Sequence, residues 1–235
     1  MPRMTTPRFL LHYAPRTRAG RALWLLEESG LPYELHVHDM TRRTHKEDAF
    51  LALNPDGKLP ALVDRGDGSA TVPDTVGWPV VITESAAVCA YLGDLAPGLA
   101  PSIGTPARAA YLTWLTYTAA AIEPAFADLV FPRASPAPAG SIGWPPFEAV
   151  VARVARALEH SGARGDWILG AQFTAADVMV GGMLRWLKAW GKLPQHGASE
   201  SGGSGGSIDR YLAALEARPA LQRADAIEAE LLARK

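Results

Sequence analysis

The chain has 235 residues, of which 48% are hydrophobic and 20% are charged, and its formal net charge at pH 7 is -1. This is the balance of an ordinary globular protein that buries a core in one large domain or two modest ones. A nearly neutral chain offers no bulk electrostatic reason to bind nucleic acid or an anionic membrane. Its apolar runs fall short of the roughly 20 residues that a membrane span needs, and no signal-peptide core follows the basic N-terminus.

The cysteine and histidine content limits the redox and metal chemistry that the chain can perform. Cys89 is the only cysteine, which excludes internal disulfides, CxxC redox chemistry and thiolate zinc clusters. A cytoplasmic location fits a chain without disulfides. His36 and His38 alternate on one face of a predicted strand, but no third ligand is evident. We interpret them as solvated strand residues and predict no metal site.

The first third of the chain alternates between strand and helix patterns. Two predicted helices are marked by apolar residues at helical spacing, the first ending at Gly30 and the second covering residues 85–95. The glycines and prolines before the fourth predicted strand indicate a hairpin with a long, irregular connection. The predicted strands are residues 8–13, 33–37, 59–63 and 80–83.

The rest of the chain is helical in pattern after a linker rich in proline and glycine at 97–106. A glycine- and serine-rich stretch at 197–207 is predicted to be mobile. The sequence from Phe173 to Asp177 predicts a capping box, in which Thr174 and Asp177 start a helix, and its role is structural. The predicted helices are residues 108–130, 147–161, 175–190, 208–217 and 219–233.

Three segments, taken in order, resemble the glutathione transferase superfamily. They are Asn54-Pro55-Asp56-Gly57-Lys58-Leu59-Pro60-Ala61-Leu62, the triplet Thr83-Glu84-Ser85 with its following helix, and the capping box. The resemblance covers the chain apart from an insert at 64–79 and the stretch at 197–207. It implies a thioredoxin-like α/β N-terminal domain at 1–96 and an all-α C-terminal helical bundle domain at 106–235.

The resemblance also implies a glutathione site. The Leu59–Pro60 bond would be cis, which turns the Leu59 backbone outward to pair with an extended tripeptide. Ser85 would N-cap its helix, and with Glu84 it would receive the γ-glutamyl carboxylate at a helix N-terminus. Lys58 could face the glycyl carboxylate, or it could be a solvated loop lysine.

The residue that activates the thiol is left open between two hydroxyls. Family members stabilise the glutathione thiolate, which is the nucleophile, with a donor placed just after the first strand. Register through the first helix puts Thr17 at the serine position of serine-type relatives, although Thr17 could simply cap the helix. Tyr13 lies near the position of tyrosine-type relatives and could instead line the electrophile pocket.

The resemblance implies a cytoplasmic homodimeric enzyme that takes part in detoxification. It would join glutathione, as a substrate, to a hydrophobic electrophilic small molecule, without a metal or organic cofactor. Trp114 and Tyr117 are candidate walls for that co-substrate, between the domains. The alternative is a non-catalytic glutathione-fold module that binds ligands or proteins. A thioredoxin-like disulfide reductase is disfavoured, because Cys89 falls within a helix and has no partner.

Overall fold

A computed structural model describes residues 6–66, 77–133, 138, 140–193 and 206–234. The connection between the third and fourth strands and the glycine- and serine-rich stretch fall largely outside these residues, so the predictions made for them are not tested. Contacts divide the chain into two compact units, Met1–Ala96 with Pro219–Lys235, and Pro97–Arg218. Within the described ranges, no helix combines the length and the apolar character that crossing a membrane requires.

The first unit is built on a mixed sheet in the order β2-β1-β3-β4. Strands β1 and β2 are parallel, whereas β3 is antiparallel to both β1 and β4. This confirms the predicted strands and the predicted hairpin pairing of the last two. The strands are β1 (Phe9–Tyr13), β2 (Tyr33–Val37), β3 (Ala61–Asp64) and β4 (Val80–Thr83).

Helices flank this sheet in the way a thioredoxin-like domain requires. The first helix buries a row of apolar residues and ends at Gly30, whose φ of 66° is the left-handed conformation that glycine adopts without steric cost. A short helix and a 3-10 turn at Thr44–Lys46 between β2 and β3 were not predicted from sequence. The helices are α1 (Ala19–Ser29), α2 (Asp48–Leu51) and α3 (Ser85–Leu95).

The second unit is helical, as predicted. Its first long helix is interrupted by a π-helical segment at Thr118–Ile122, which divides the predicted helix of residues 108–130. The helices are α4 (Pro106–Tyr117), α5 (Glu123–Val130), α6 (Phe147–Gly162), α7 (Ala175–Ala189) and α8 (Ser207–Glu216). The fold class is therefore the predicted one, an α/β domain followed by a mainly helical part.

The capping box forms at the start of α7. The buried Asp177 carboxylate accepts the Thr174 backbone N–H at 2.9 Å, and it also accepts the Ile168 N–H at 2.8 Å and the Tyr211 hydroxyl at 3.0 Å. Burial raises the pKa of Asp177 to about 6, against the opposing effect of these donors. The motif thus starts the helix and also ties it to α8 and to the preceding turn.

The last helix, α9 (Pro219–Ala233), is grouped differently from the predicted domain limits of 1–96 and 106–235. It packs against α1 and belongs to the compact unit that contains the sheet. Arg223 of α9 donates to the Glu27 carboxylate at 2.6 Å and to the Glu27 carbonyl at 2.9 Å. Sequence periodicity shows that a segment is helical, but it does not show which neighbour the helix packs against.

A buried carboxylate at the end of β3 joins three elements of the first unit. Asp64 is fully buried and accepts both Arg8 Nε at 2.8 Å and Arg8 Nη2 at 2.7 Å, just before β1. It also accepts the Tyr91 hydroxyl of α3 at 2.7 Å and the Gly66 N–H at 2.8 Å. Burial alone would raise the pKa of Asp64, but these donors outweigh it and hold that pKa below its ordinary value.

We predict that Asp64→Asn lowers the free energy of unfolding by about 3–5 kcal/mol, because it breaks a buried ion pair and leaves its partners unmatched. Urea denaturation at pH 7 measures this loss. The difference from wild type should shrink as the pH falls below about 4, because the stabilisation from a carboxyl with a lowered folded-state pKa disappears on protonation.

Asp128 offers a matched control for this variant. It accepts two nitrogens of Arg133 and the Trp144 indole N–H, which is a similar donor set on a carboxylate that is partly open to solvent. Asp128→Asn should hardly move the urea midpoint, since exposed pairs contribute little. An equal effect of the two substitutions would contradict the role assigned to Asp64.

Candidate active site

The strand register brings the two family segments of the first unit, together with the turn after β1, to one end of the sheet. At this end His12 of β1 pairs with Ala61, the first residue of β3, and Ala61 pairs with Thr83, the last residue of β4. The segment after β1, the loop before β3 and the start of α3 therefore leave the sheet side by side. These segments carry Thr17, the Leu59–Pro60 bond and Ser85.

The loop before β3 presents a backbone with free hydrogen-bonding groups. The Leu59–Pro60 bond is cis, as predicted. Asn54 holds the loop by donating from its Nδ2 to the Lys58 carbonyl at 2.9 Å and by accepting the Gly57 N–H on its own carbonyl at 2.8 Å. Among the described residues, neither the N–H nor the C=O of Leu59 has a partner, so both remain available to a ligand. Lys58 is exposed.

Gly57 is required by the close packing of this loop. Its φ is 55°, and a Cβ atom at this position would lie 2.7 Å from Lys46 Nζ and 2.8 Å from the His45 carbonyl oxygen. Lys46 in turn donates to the Asp56 carbonyl at 2.7 Å, which fixes the turn from the other side. Any larger residue would displace this support and shift the loop that carries Leu59.

The start of α3 differs from the prediction in one respect. The N-cap residue is Glu84, with a φ of 68°, and Ser85 is the first residue of the helix. The prediction that Ser85 caps the helix is therefore wrong, because the strained residue before it occupies that position. Ser85 is 9% exposed, and its hydroxyl has no hydrogen-bond partner within the part of the chain that the structure describes. It remains free to bind a ligand at the N-terminus of α3.

The Thr17 hydroxyl is half-buried in the turn between β1 and α1. It donates to the Ala14 carbonyl at 2.7 Å and accepts the Ala19 N–H at 3.3 Å. Thr17 therefore supports the first residue of the helix, but Arg18 occupies the N-cap position, so the alternative that Thr17 itself caps the helix is wrong. A role for this hydroxyl at the glutathione sulfur stays a prediction, and it requires the proton to leave the Ala14 carbonyl.

The Tyr13 hydroxyl is held by a hydrogen bond inside the first unit. Its side chain is fully buried, and its hydroxyl donates to Glu228 Oε2 of α9 at 2.5 Å. The same carboxylate oxygen accepts the Arg16 backbone N–H at 3.1 Å. Burial, followed by the bond to Glu228, raises the pKa of Tyr13 well above its ordinary value. This geometry weighs against both roles predicted for Tyr13, as the thiol donor and as a wall of the electrophile pocket.

The two predicted pocket aromatics lie at the end of α4. Tyr117 lines a cavity of about 450 Å³ within the helical unit, and the Arg153 guanidinium lies over its ring, 4.0 Å from the centroid. Trp114 is buried behind Tyr117, edge-on at 5.7 Å between ring centroids, and is not among the lining residues. Arg153 also lines this cavity, and the sequence did not single it out.

Cys89 takes no part in this arrangement. It is fully buried in α3, and burial raises the pKa of its thiol to about 12. A buried thiol that stays protonated at neutral pH is neither a nucleophile nor a redox centre. The disulfide reductase that the sequence disfavoured therefore gains no support from the structure.

Comparison with known proteins identifies the family of the chain. Residues 17–95 match the Glutathione S-transferase N-terminal domain and residues 120–223 match the C-terminal domain. Glutathione S-transferase GstA of Escherichia coli O157:H7 is 30% identical over 224 residues, which are 94% of this chain and 98% of that protein. The disulfide-bond oxidoreductase YfcG of Escherichia coli K12 is 27% identical, over 77% of this chain and 79% of that protein.

A solved structure extends the similarity to three dimensions. It is that of a glutathione transferase family member from Pseudomonas fluorescens, with two glutathione molecules bound. It is 26% identical, has a TM-score of 0.67, and covers 95% of this chain and 94% of its own. Sequence and fold lead to the same conclusion: the chain belongs to the glutathione S-transferase family.

Proposed function

We propose that this protein binds glutathione at the end of the sheet and uses its thiolate on a hydrophobic electrophile. The observation that carries the proposal is the convergence of the unpaired Leu59 backbone with the unpaired Ser85 hydroxyl. Both groups are donors or acceptors that a peptide-like anion can satisfy. The relative from Pseudomonas fluorescens, which has glutathione bound, supports the choice of ligand.

In this proposal the tripeptide binds as a short added strand. The N–H and C=O of Leu59 pair with the ligand backbone, in the manner of peptides that extend a sheet edge. This pairing sets the direction of the ligand and therefore where its two carboxylates lie. The exposed Lys58 is placed to attract the glycyl carboxylate as a point charge.

The γ-glutamyl carboxylate goes to the start of α3. Free backbone N–H groups and the positive end of the helix dipole favour an anion at this position. The Ser85 hydroxyl adds a donor, since no other group uses it. Glu84 holds the backbone in the conformation that begins the helix, and its exposed side chain can accept from the ligand's amino group.

The thiol would be activated at the turn before α1. We propose that the Thr17 hydroxyl rotates from the Ala14 carbonyl to the glutathione sulfur while its oxygen continues to accept the Ala19 N–H. A hydrogen bond to the thiolate favours the charged form and lowers the thiol pKa. A backbone N–H of this turn, or Arg16, is the alternative donor.

The electrophile is the less defined substrate. The cavity beside Tyr117 is lined mainly by apolar side chains and methyl groups, with the Arg153 guanidinium at one side. We propose that it takes a hydrophobic molecule, for which Arg153 adds a preference for a negatively polarised group. We further propose a cytoplasmic homodimer with a role in detoxification. Glutathione enters the reaction as one of its two substrates, and the reaction needs no resident cofactor.

A non-catalytic glutathione-binding module is the second candidate. It is favoured by the present bonding of both hydroxyls, since Thr17 donates to Ala14 and Tyr13 donates to Glu228. An assay with a generic aromatic electrophile separates the two candidates. A module would bind glutathione without turnover, whereas the proposed enzyme would consume both substrates.

We predict that Ser85→Ala weakens glutathione binding about tenfold or more, because one hydrogen bond to a charged group contributes roughly 1.5–3 kcal/mol. Isothermal titration calorimetry measures the dissociation constant. Thermal stability should change little, since this hydroxyl makes no bond within the described protein. Ser102→Ala, at an exposed serine of the helical unit, is the control and should bind as wild type. Wild-type affinity in Ser85→Ala would remove Ser85 from the site.

We predict that Thr17→Val raises the pKa of the bound glutathione thiol and slows conjugation at neutral pH, with little change in glutathione affinity. Ultraviolet titration of the bound thiolate measures this pKa. Tyr13→Phe, whose hydroxyl is held by Glu228, should leave the titration unchanged. It should instead lower the free energy of unfolding by about 1.5–3 kcal/mol, through the lost bond to a charged group.

The two variants together separate the possible donors. If Tyr13→Phe shifts the thiol titration and Thr17→Val does not, Tyr13 leaves Glu228 on ligand binding and the proposal for Thr17 fails. If neither variant shifts the titration, the thiolate is held by the backbone or Arg16, or it is not formed at all. Thiolate absorbance at neutral pH in the wild type distinguishes these last two results.

A further inference from the structure

Three imidazoles converge on one face of the sheet, and none of them belongs to a residue assigned above to the substrates. His12 of β1 lies opposite His36 of β2 in the parallel register, and His38 follows two residues later on the same face. One ligand nitrogen from each ring lies within 4.8 Å of the other two. The prediction that His36 and His38 are both solvated is wrong for His38, which is buried, and the strand pairing supplies the third ring.

The two buried rings are in direct contact. His12 Nδ1 lies 3.0 Å from His38 Nε2, and both side chains are almost inaccessible to solvent, at 5% and 2%. The remaining ring nitrogen of His12, Nε2, is buried without a hydrogen-bond partner among the described residues.

We infer that His12, His36 and His38 form a binding site for a divalent transition-metal ion such as Zn²⁺. Imidazole nitrogens are ligands that Zn²⁺ prefers, and three protein ligands leave a fourth position for water or an exogenous group. In this site the metal takes the place of the hydrogen bond between His12 Nδ1 and His38 Nε2, and the proton of that bond moves to the other nitrogen of its own ring. The exposed His36 closes the set from the solvent side and provides the path of entry.

The distance between the His12 and His38 nitrogens is close to the distance that a bound zinc ion requires. Two nitrogens on a tetrahedral zinc ion lie ~3.3 Å apart, given Zn–N bonds of about 2.0–2.1 Å. The contact between His12 and His38 therefore needs to open by only a few tenths of an ångström. His36 has to approach through side-chain rotation, which an exposed residue at the end of a strand can make.

The surroundings match those of a metal ligand set. His38 Nδ1, the nitrogen opposite the proposed bond, lies 3.3 Å from the Thr44 hydroxyl, a contact of the kind that orients ligating imidazoles. Phe50 packs against His12 and His38, at 4.9 and 4.6 Å between ring centroids, and forms an apolar wall.

The test is a Co²⁺ titration of the full chain, freed of any affinity tag and treated with chelator, in the absence of glutathione, whose thiol would itself bind the metal. Visible absorption should show a saturable band at one ion per chain that added Zn²⁺ abolishes. His36→Ala should weaken binding at least about tenfold while the exposed position preserves the fold. His160→Ala, at an exposed histidine of α6, should bind as wild type.

Thermal stability provides an independent reading on the same proteins. Zn²⁺ should raise the melting temperature of wild type and of His160→Ala, because an ion that binds only the folded state stabilises it. It should raise that of His36→Ala far less. The inference is overturned if wild type shows no saturable band, or if His36→Ala keeps the wild-type affinity. Neither result would depend on glutathione binding or on activity.

Discussion

The bond network of Asp64 is the constraint on which the arrangement of the first unit depends. A single buried carboxylate at the end of β3 holds Arg8, at the entrance to β1, and Tyr91, on α3. These are the elements that carry the candidate site at their other ends. Because β3 and α3 are fixed to each other through Asp64, the Leu59 backbone that precedes β3 and the Ser85 hydroxyl that begins α3 keep a constant separation. An anion bound between them can then be recognised by geometry as well as by charge.

The sequence was sufficient for the fold class and for the cis bond before β3. The strands and helices follow from apolar periodicity. The cis bond at Pro60 was predicted because the segment from Asn54 to Leu62 resembles the family. The capping box at Asp177 also formed as predicted. These features are local, because each depends on residues close together in the chain, and a linear pattern can therefore show them.

Features that depend on residues distant in sequence were not predictable in this way. His12 became a partner of His36 only through the parallel pairing of β1 with β2, which apolar periodicity does not reveal. Glu228 lies 215 residues from the Tyr13 hydroxyl that it holds, on a helix whose place beside α1 no motif indicated. Ser85 failed as a cap for a different reason: the chain turns into α3 one residue earlier, at the positive φ of Glu84.

The hydrogen bonds of the free protein favour an order of events at the candidate active site in which glutathione binds before its thiol is activated. The hydroxyls nearest the proposed thiol position both have partners in the free protein, whereas the groups proposed to bind the peptide do not. Glutathione would therefore be held first through Leu59 and Ser85, and its sulfur would compete with the Ala14 carbonyl for the Thr17 proton. Such an order makes binding independent of thiol activation, so that each can be removed separately.

The measurement that tests the central claim most directly is a crystal structure of the protein with glutathione bound. The account predicts that the ligand backbone pairs with the N–H and C=O of Leu59, that its γ-glutamyl carboxylate lies at Ser85, and that Thr17 is the hydroxyl nearest its sulfur. Glutathione bound elsewhere, with the Leu59 backbone still unpaired, would contradict it.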